Sequence, residues 1–244
     1  MGGTSTKLKK LREVSNIDSP IFENRLGLSN KKIIHRMVFV RHGETESNKH
    51  LMNGKTSIID PKIKNLNTPL SKIGVKQSQN VATYLKLINF IPDEIIVSSL
   101  DRAIDTGKPY IIEHSNIPLI YDETIIEYNH KHDETVETQA GTWLYKEETL
   151  QSFIQRIVQA FKRIKNKGSA KSPKQTLIYT HSQVISAILT NGIYETENIT
   201  NAFFHLSNCS ITCIDMDEDN KLHIQAVNYT KHLDTITGNH SPFI

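Results

Sequence analysis

The chain has 244 residues, 37% of them hydrophobic and 23% charged, which is enough for one large α/β domain with a sizeable core and short for two. Its 29 basic and 26 acidic residues leave a formal net charge of +3, too small an excess to imply nucleic-acid binding. No apolar run reaches the length of a membrane span, and no secretory apolar segment stands near the start.

Residues 1–32 are polar and weakly patterned, an N-terminal extension expected to be flexible or partly helical. Its start, Met1-Gly2-Gly3-Thr4-Ser5-Thr6, fits the pattern for myristoylation of Gly2. Lys7, Lys9, Lys10 and Arg12 follow as a basic second anchor, so weak membrane association is one expectation and a plain tail the other. A single domain is expected over 33–244. Ile33 to Val40 reads as a buried strand. It ends in Val38-Phe39-Val40-Arg41-His42-Gly43-Glu44-Thr45, with a cation, an imidazole and a glycine at the edge where open α/β sheets bind ligands. Lys55, Lys62 and Lys64 lie on a long loop after His50. Singly each reads as solvated surface, and together they favour an anionic substrate.

Ser71 to Asn89 is predicted helical, with Ile73, Val75, Val81, Tyr84, Leu85 and Ile88 at near-helical spacing and Ser71 as N-cap. Glu94 to Ser98 is a second strand, with Asp101 capping the helix after it. Pro118 to Tyr121 is a short third strand. Glu147 to Lys165 is amphipathic, with Leu150, Phe153, Ile154, Ile157, Phe161 and Ile164 on one face. Thr176 to Thr180 is another strand that ends in His181, and Val184 to Leu189 opens a helix. Asn208 to Met216 and His223 to Asn228 form an antiparallel hairpin about Asp217-Glu218-Asp219-Asn220. Cys209 and Cys213, four apart on that strand, lie too far apart for an unstrained disulfide, and no second pair stands at metal spacing. They read as small core residues in a reducing, cytoplasmic compartment. Strands alternating with helices imply an α/β fold, a three-layer α/β/α sandwich on a mainly parallel sheet.

Three strand tips thus offer Arg41 and His42, then Arg102, then His181. If the strands that carry the histidines are neighbours, both imidazoles leave the same sheet edge. Two arginines, two imidazoles and helix N-termini make a plausible phosphate pocket.

At this point the chain resembles the histidine phosphatase superfamily, with its phosphoglycerate-mutase-like fold, on the phosphatase branch. The resemblance is carried by Arg41-His42-Gly43-Glu44-Thr45 with Asn48, by Pro69-Leu70-Ser71-Lys72-Ile73-Gly74, and by Ser98-Ser99 through Arg102-Ala103 and Thr106. Glu127, His181 and Asn228-Tyr229-Thr230-Lys231-His232-Leu233 complete it, in the family's order, from about Met37 to Leu233. It implies that His42 takes the phosphoryl group on a ring nitrogen while a backbone carbonyl fixes its tautomer. Arg41, Arg102 and His181 would hold the phosphate oxygens, Asn48 would donate to them, and fixed cations would stand in for a metal. Glu127 in Ile125-Ile126-Glu127-Tyr128 is the expected acid, and Glu123 is the runner-up.

Two departures from the family pattern stand out. Lys131 replaces the usual glycine four residues after the acid, and Ser182-Gln183 replaces the Gly-Gly that often follows the second histidine. Amides at Ser182 and Gln183 are still expected to face the phosphate. Asn129, His130, Lys131, His132 and Trp143 are expected on a variable segment over the pocket. The resemblance implies a metal-independent phosphomonoester hydrolase without a cofactor; a phosphorylated small molecule of open class is the expected substrate, and a phosphoprotein is the other substrate left open. A bisphosphoglycerate-dependent phosphoglycerate mutase is the alternative. Its long arginine-bearing insertion after the acid is missing, and so are the Trp and Arg that follow Arg-His-Gly in mutases. A catalytically silent scaffold is the third reading, and scaffolds of this family tend to lose a core histidine or arginine that this chain keeps.

Overall fold

The computed structural model describes residues 31–48, 67–193 and 202–234. The expectations for Gly2, the basic cluster and the rest of residues 1–30, and for Lys55, Lys62 and Lys64, lie outside the described residues. Contacts separate Met1–Asn30 from a second unit, Lys31–Ile244, and the fold below is that of the second unit. No helix among the described residues is long and apolar enough to cross a membrane.

The strands are β1 (Ile33–Arg41), β2 (Glu94–Ser98), β3 (Leu119–Asp122), β4 (Glu134–Thr138), β5 (Gly141–Tyr145), β6 (Lys174–Thr180), β7 (Ile211–Asp217) and β8 (Leu222–Tyr229). Six of them form the main sheet in the order β3-β2-β6-β1-β7-β8, while β4 and β5 pair separately. The pairings from β3 to β1 are all parallel, and β7 is antiparallel to both its neighbours. The helices are α1 (Lys72–Leu87), α2 (Asp101–Glu113), α3 (Leu150–Lys165) and α4 (Ser182–Ala187).

The central strands are buried on both faces, which is why the apolar stretches Met37–Val40 of β1 and Leu177–Tyr179 of β6 show no alternation. Side chains alternate between the faces. Met37, Phe39, Ile96 and Ile178 pack with Phe153, Ile157 and Phe161 of α3 and with Val184 and Ile185 of α4. On the other side α1 packs on α2, and α2 on β2 and β6. There Tyr179 comes so close to α2 that a Cβ on Gly107 would lie 2.9 Å from its ring. The result is the expected layered α/β architecture on a mostly parallel sheet.

Several expectations need correction. Asp101 does not cap α2: Leu100 is the N-cap residue and makes no side-chain cap bond. The Asp101 carboxylate instead accepts from Asn67 Nδ2 at 2.8 Å and from the Gln139 N–H at 2.8 Å, so it ties two loops to the helix start. α3 begins at Leu150 rather than Glu147, because the Thr149 side chain takes the Ser152 N–H and sets the first turn. α4 is short and passes into a π-type turn, Ile188–Gly192. Cys209 precedes β7, in a turn at φ +55, rather than lying on the strand with Cys213; both thiols are free and buried. The β4–β5 hairpin was not expected. Val136 and Tyr145 are its buried side chains, so its apolar alternation is too sparse to mark it.

Candidate active site

The sheet brings the two histidines together. β1 lies beside β6 with Arg41 opposite Thr180, so the next residue of each strand, His42 and His181, leaves the sheet at the same level. The ring centroids are 5.3 Å apart at 60°. The His42 N–H donates to the Thr180 carbonyl at 2.9 Å, which locks the crossover between the strands. His42 Nδ1 lies 2.8 Å from the Gly43 carbonyl. A carbonyl can only accept, so Nδ1 carries the proton and Nε2 keeps its lone pair. His181 Nε2 lies 2.7 Å from Ser98 Oγ, whereas its Nδ1 is buried without a hydrogen-bond partner and stands 4.0 Å from the Glu127 carboxylate.

Burial, then the Arg102 and Arg41 guanidiniums, push the His42 pKa well below the ordinary imidazole value. Burial does the same at His181, reinforced by Arg102, His42 and Arg41. Both rings are therefore neutral near pH 7. Arg102 is buried in the first turn of α2. Arg41 ends β1, donates through Nη1 to the Leu206 carbonyl and keeps a buried Nε without a partner. Glu127 accepts the Gln183 N–H at 3.2 Å. Burial raises its pKa above the carboxylate norm, against the opposing pull of Arg102 and Arg41.

The loop after His42 is seated by close backbone contact. A Cβ on Gly43 would lie 2.8 Å from the Gly74 carbonyl oxygen, and one on Gly74 would lie 2.0 Å from the Glu44 oxygen. Two glycines are required there. Ser71 caps α1 by accepting from the Ile73 and Gly74 N–H groups, and donates its hydroxyl to Glu44 Oε1 at 2.6 Å. The Gly43 N–H donates to Thr106 Oγ1 at 2.9 Å, which links the loop to α2.

The segment that carries Glu127 is braced from three sides. Thr180 Oγ1 donates to the Ile125 carbonyl at 2.8 Å. Arg156 Nη1 donates to the Thr124 carbonyl at 2.9 Å and the Ile126 carbonyl at 3.2 Å. Tyr145, at the end of the β4–β5 hairpin, donates its hydroxyl to the Glu127 carbonyl. Glu123 is exposed in the short turn Glu123–Ile125, while Glu127 is the carboxylate beside the imidazoles. Asn129 is buried and braces the hairpin by donating to the His132 carbonyl at 2.8 Å and the Tyr145 carbonyl at 3.1 Å, so it does not overlie the pocket as expected. His130, Lys131 and His132 are exposed. Trp143 packs against Leu100, Ile126, Val136 and Tyr145.

Ser182 opens α4 and is partly buried. The Gln183 amide is directed at Glu127 instead of standing open to a phosphate. Asn48 Oδ1 accepts the Thr45 N–H at 3.1 Å and an N–H of Asn208 Nδ2 at 3.2 Å. The residues the sequence reading missed are Asn208, Tyr145 and Arg156. The first two act on main-chain groups far along the chain and belong to no local pattern. Arg156 stands on α3 among apolar residues, a weak signal at best.

His42, Glu127 and His181 each offer one ligand atom, and these lie within 4.8 Å of one another, a set able to hold a metal ion. Two guanidiniums alongside favour an anion instead. The arrangement supplies a neutral imidazole nitrogen with its lone pair available, fixed positive charge and a carboxyl biased towards its protonated form. Those are the parts needed to attack phosphorus and protonate a departing oxygen.

The family model described as histidine phosphatase superfamily (branch 1) matches residues 37–230. No curated protein matches the chain significantly by sequence. Among solved structures, the chain is similar to a phosphoserine phosphatase mutant from Entamoeba histolytica in complex with phosphoserine, at 18% identity and a TM-score of 0.59, covering 82% of this chain and 100% of that one. The alpha-ribazole phosphatase from Shigella flexneri is 19% identical, with a TM-score of 0.56 over 79% of this chain and 96% of that one. A phosphoglycerate mutase from Bacillus anthracis str. Sterne is 15% identical, with a TM-score of 0.59 over 84% and 97%. At these identities the likeness is one of fold.

Proposed function

Because the chain belongs to the histidine phosphatase superfamily (branch 1), we propose that it is a phosphomonoester hydrolase working through a phosphohistidine on His42, with fixed cations in place of a metal. The His42 Nε2 lone pair attacks phosphorus and the ester P–O bond breaks. Glu127 gives its proton to the departing alkoxide. Water then gives a proton to Glu127 as its oxygen attacks phosphorus, the P–N bond breaks, and phosphate leaves. Arg41, Arg102, Asn48 and His181 carry the phosphoryl oxygens, with Ser182 at the mouth of α4. The observation that carries this reading is His42 itself. Its Nδ1 is tied to the Gly43 carbonyl, which leaves Nε2 free beside Arg102 and Glu127.

Hydrolysis is favoured over phosphoryl return to an acid substrate, because residues 128–149, which include the β4–β5 hairpin, hold no arginine to grip a carboxylate. The substrate belongs to the class of phosphorylated small molecules. The test is turnover of a generic aryl phosphate by the wild type and His42→Ala in the presence of a chelator, with trapping of acid-labile, base-stable phosphate on the protein. Absence of both turnover and trapped phosphohistidine from the wild type overturns the reading. Turnover that requires bisphosphoglycerate, with isomerisation of phosphoglycerate, assigns the mutase instead. Weak membrane anchoring through Gly2 and the basic residues after it belongs to the same proposal and is read by vesicle flotation of acylated chain against Gly2→Ala.

A further inference from the structure

Asn208 lies in the turn before β7, far in sequence from the first strand, yet its side chain touches two parts of the site. Its Nδ2 is 3.1 Å from the His42 carbonyl oxygen and 3.2 Å from Asn48 Oδ1. The polarity of both amides follows from main-chain partners. The His42 carbonyl can only accept, so the Asn208 atom facing it is the NH2. The Thr45 N–H can only donate, so the Asn48 atom facing it, 3.1 Å away, is the oxygen. Two donors therefore fill Asn48 Oδ1. Its NH2 is turned the other way and makes no hydrogen bond among the described residues.

The turn that carries Asn208 is itself fixed. The Cys209 N–H donates to the carbonyls of Arg41 at 3.1 Å and His42 at 3.2 Å, from a residue at φ +55. The Ser207 N–H donates to Asn228 Oδ1 at 2.6 Å, which anchors the turn to the end of β8.

We propose that Asn208 is a positioning residue for phosphate binding. It holds the Asn48 amide with its NH2 turned to the phosphoryl oxygens and couples that donor to the main chain of the nucleophile. The inference rests on the reading of Asn48 as a phosphate donor given above. Asn208 does not itself touch the substrate; it acts through Asn48.

A double-mutant cycle on the full chain tests this, read by calorimetric affinity for inorganic phosphate and by kcat and KM on an aryl phosphate. Asn48→Ala and Asn208→Ala should each weaken phosphate binding and raise KM about tenfold, with a smaller change in kcat. The double variant should bind phosphate no more weakly than Asn48→Ala alone. A merely structural role for Asn208 would instead multiply the two losses to about a hundredfold, and that result overturns the proposal. So does an Asn208→Ala variant that is folded by circular dichroism and binds phosphate as the wild type does. If Asn208→Ala does not fold, Asn208→Ser, too short to reach both partners, takes its place in the same cycle. Phosphate binding without turnover by the wild type overturns the hydrolase reading alone, since the cycle in phosphate affinity still decides the role of Asn208.

Discussion

Two groups of opposite chemistry sit side by side in this pocket, and burial shifts both towards their neutral forms. His42 loses its proton below the ordinary imidazole pKa, while Glu127 keeps its proton above the ordinary carboxyl pKa. The proposed mechanism requires a neutral nucleophile and a protonated acid, so kcat/KM should rise as His42 deprotonates and fall as pH climbs through the raised pKa of Glu127. Glu127→Gln should lower kcat by about 10²- to 10³-fold on a poor leaving group, and far less on an activated aryl phosphate that departs without a proton. It should also abolish the alkaline limb of the profile. A Glu127→Gln enzyme that keeps that limb would assign it to another group. The histidines were legible in the sequence because two apolar runs each stop at one. Asn208 was not, since a lone asparagine at the start of an apolar run is indistinguishable from an ordinary turn residue.

Among the elements, α1 and the loop after β1 meet at Gly43 and Gly74 with no room for a side chain. Replacing a helix-interior glycine by alanine ordinarily stabilises by roughly 0.5–1 kcal/mol. Gly74→Ala should do the reverse. Its Cβ would lie 2.0 Å from the Glu44 main-chain oxygen, so the helix or the loop after β1 must move. The expected loss is about 2 kcal/mol or more in urea unfolding, with a fall in activity that exceeds the loss of folded protein. The β4–β5 hairpin invites a gentler probe. Tyr145→Phe keeps the packing against Leu100 and Ile126 but removes the donor to the Glu127 carbonyl. It should cost about 1 kcal/mol of stability and lower kcat several-fold while KM for the aryl phosphate holds; unchanged kcat would show that the hairpin does not position the acid. The hairpin escaped the sequence reading for the reason that makes it useful. It buries little of its own surface, and its contacts are with loops around the site.

Across the whole molecule, the sequence conveyed the layered sheet well, because the central strands hold continuous apolar stretches such as Met37–Val40 and α3 is strongly one-sided. It also conveyed the β7–β8 hairpin, but not that β1 lies beside β6, and that pairing builds the site. Stability should carry the mark of three buried imidazoles, His35, His42 and His181, and of the half-buried His232, whose pKa values are all lowered chiefly by burial, that of His232 to about 4. The unfolded chain binds protons at these positions near pH 6.5 and the folded chain only below that, so their stability is complete above about 6.5 and is lost as pH falls towards 4. The raised pKa of Glu127 works in the opposite direction, as one group against four. The melting temperature should therefore drop steeply between pH 6.5 and 4, and His232→Asn should flatten part of that slope. A flat profile for the wild type would contradict the burial of these rings.

The strand order has a further consequence for how the chain is made. β1 is synthesised first, yet its partners in the sheet are β6 and β7, whose pairing reaches from His35 to Lys174 and from Ile33 to Asp217. During translation the apolar stretch of β1 waits through more than half the chain before either neighbour leaves the ribosome, and loop closure on that scale slows assembly. Nascent chains halted before Lys174 should stay sensitive to protease and be held by chaperones, with protection arriving only once β7 has emerged.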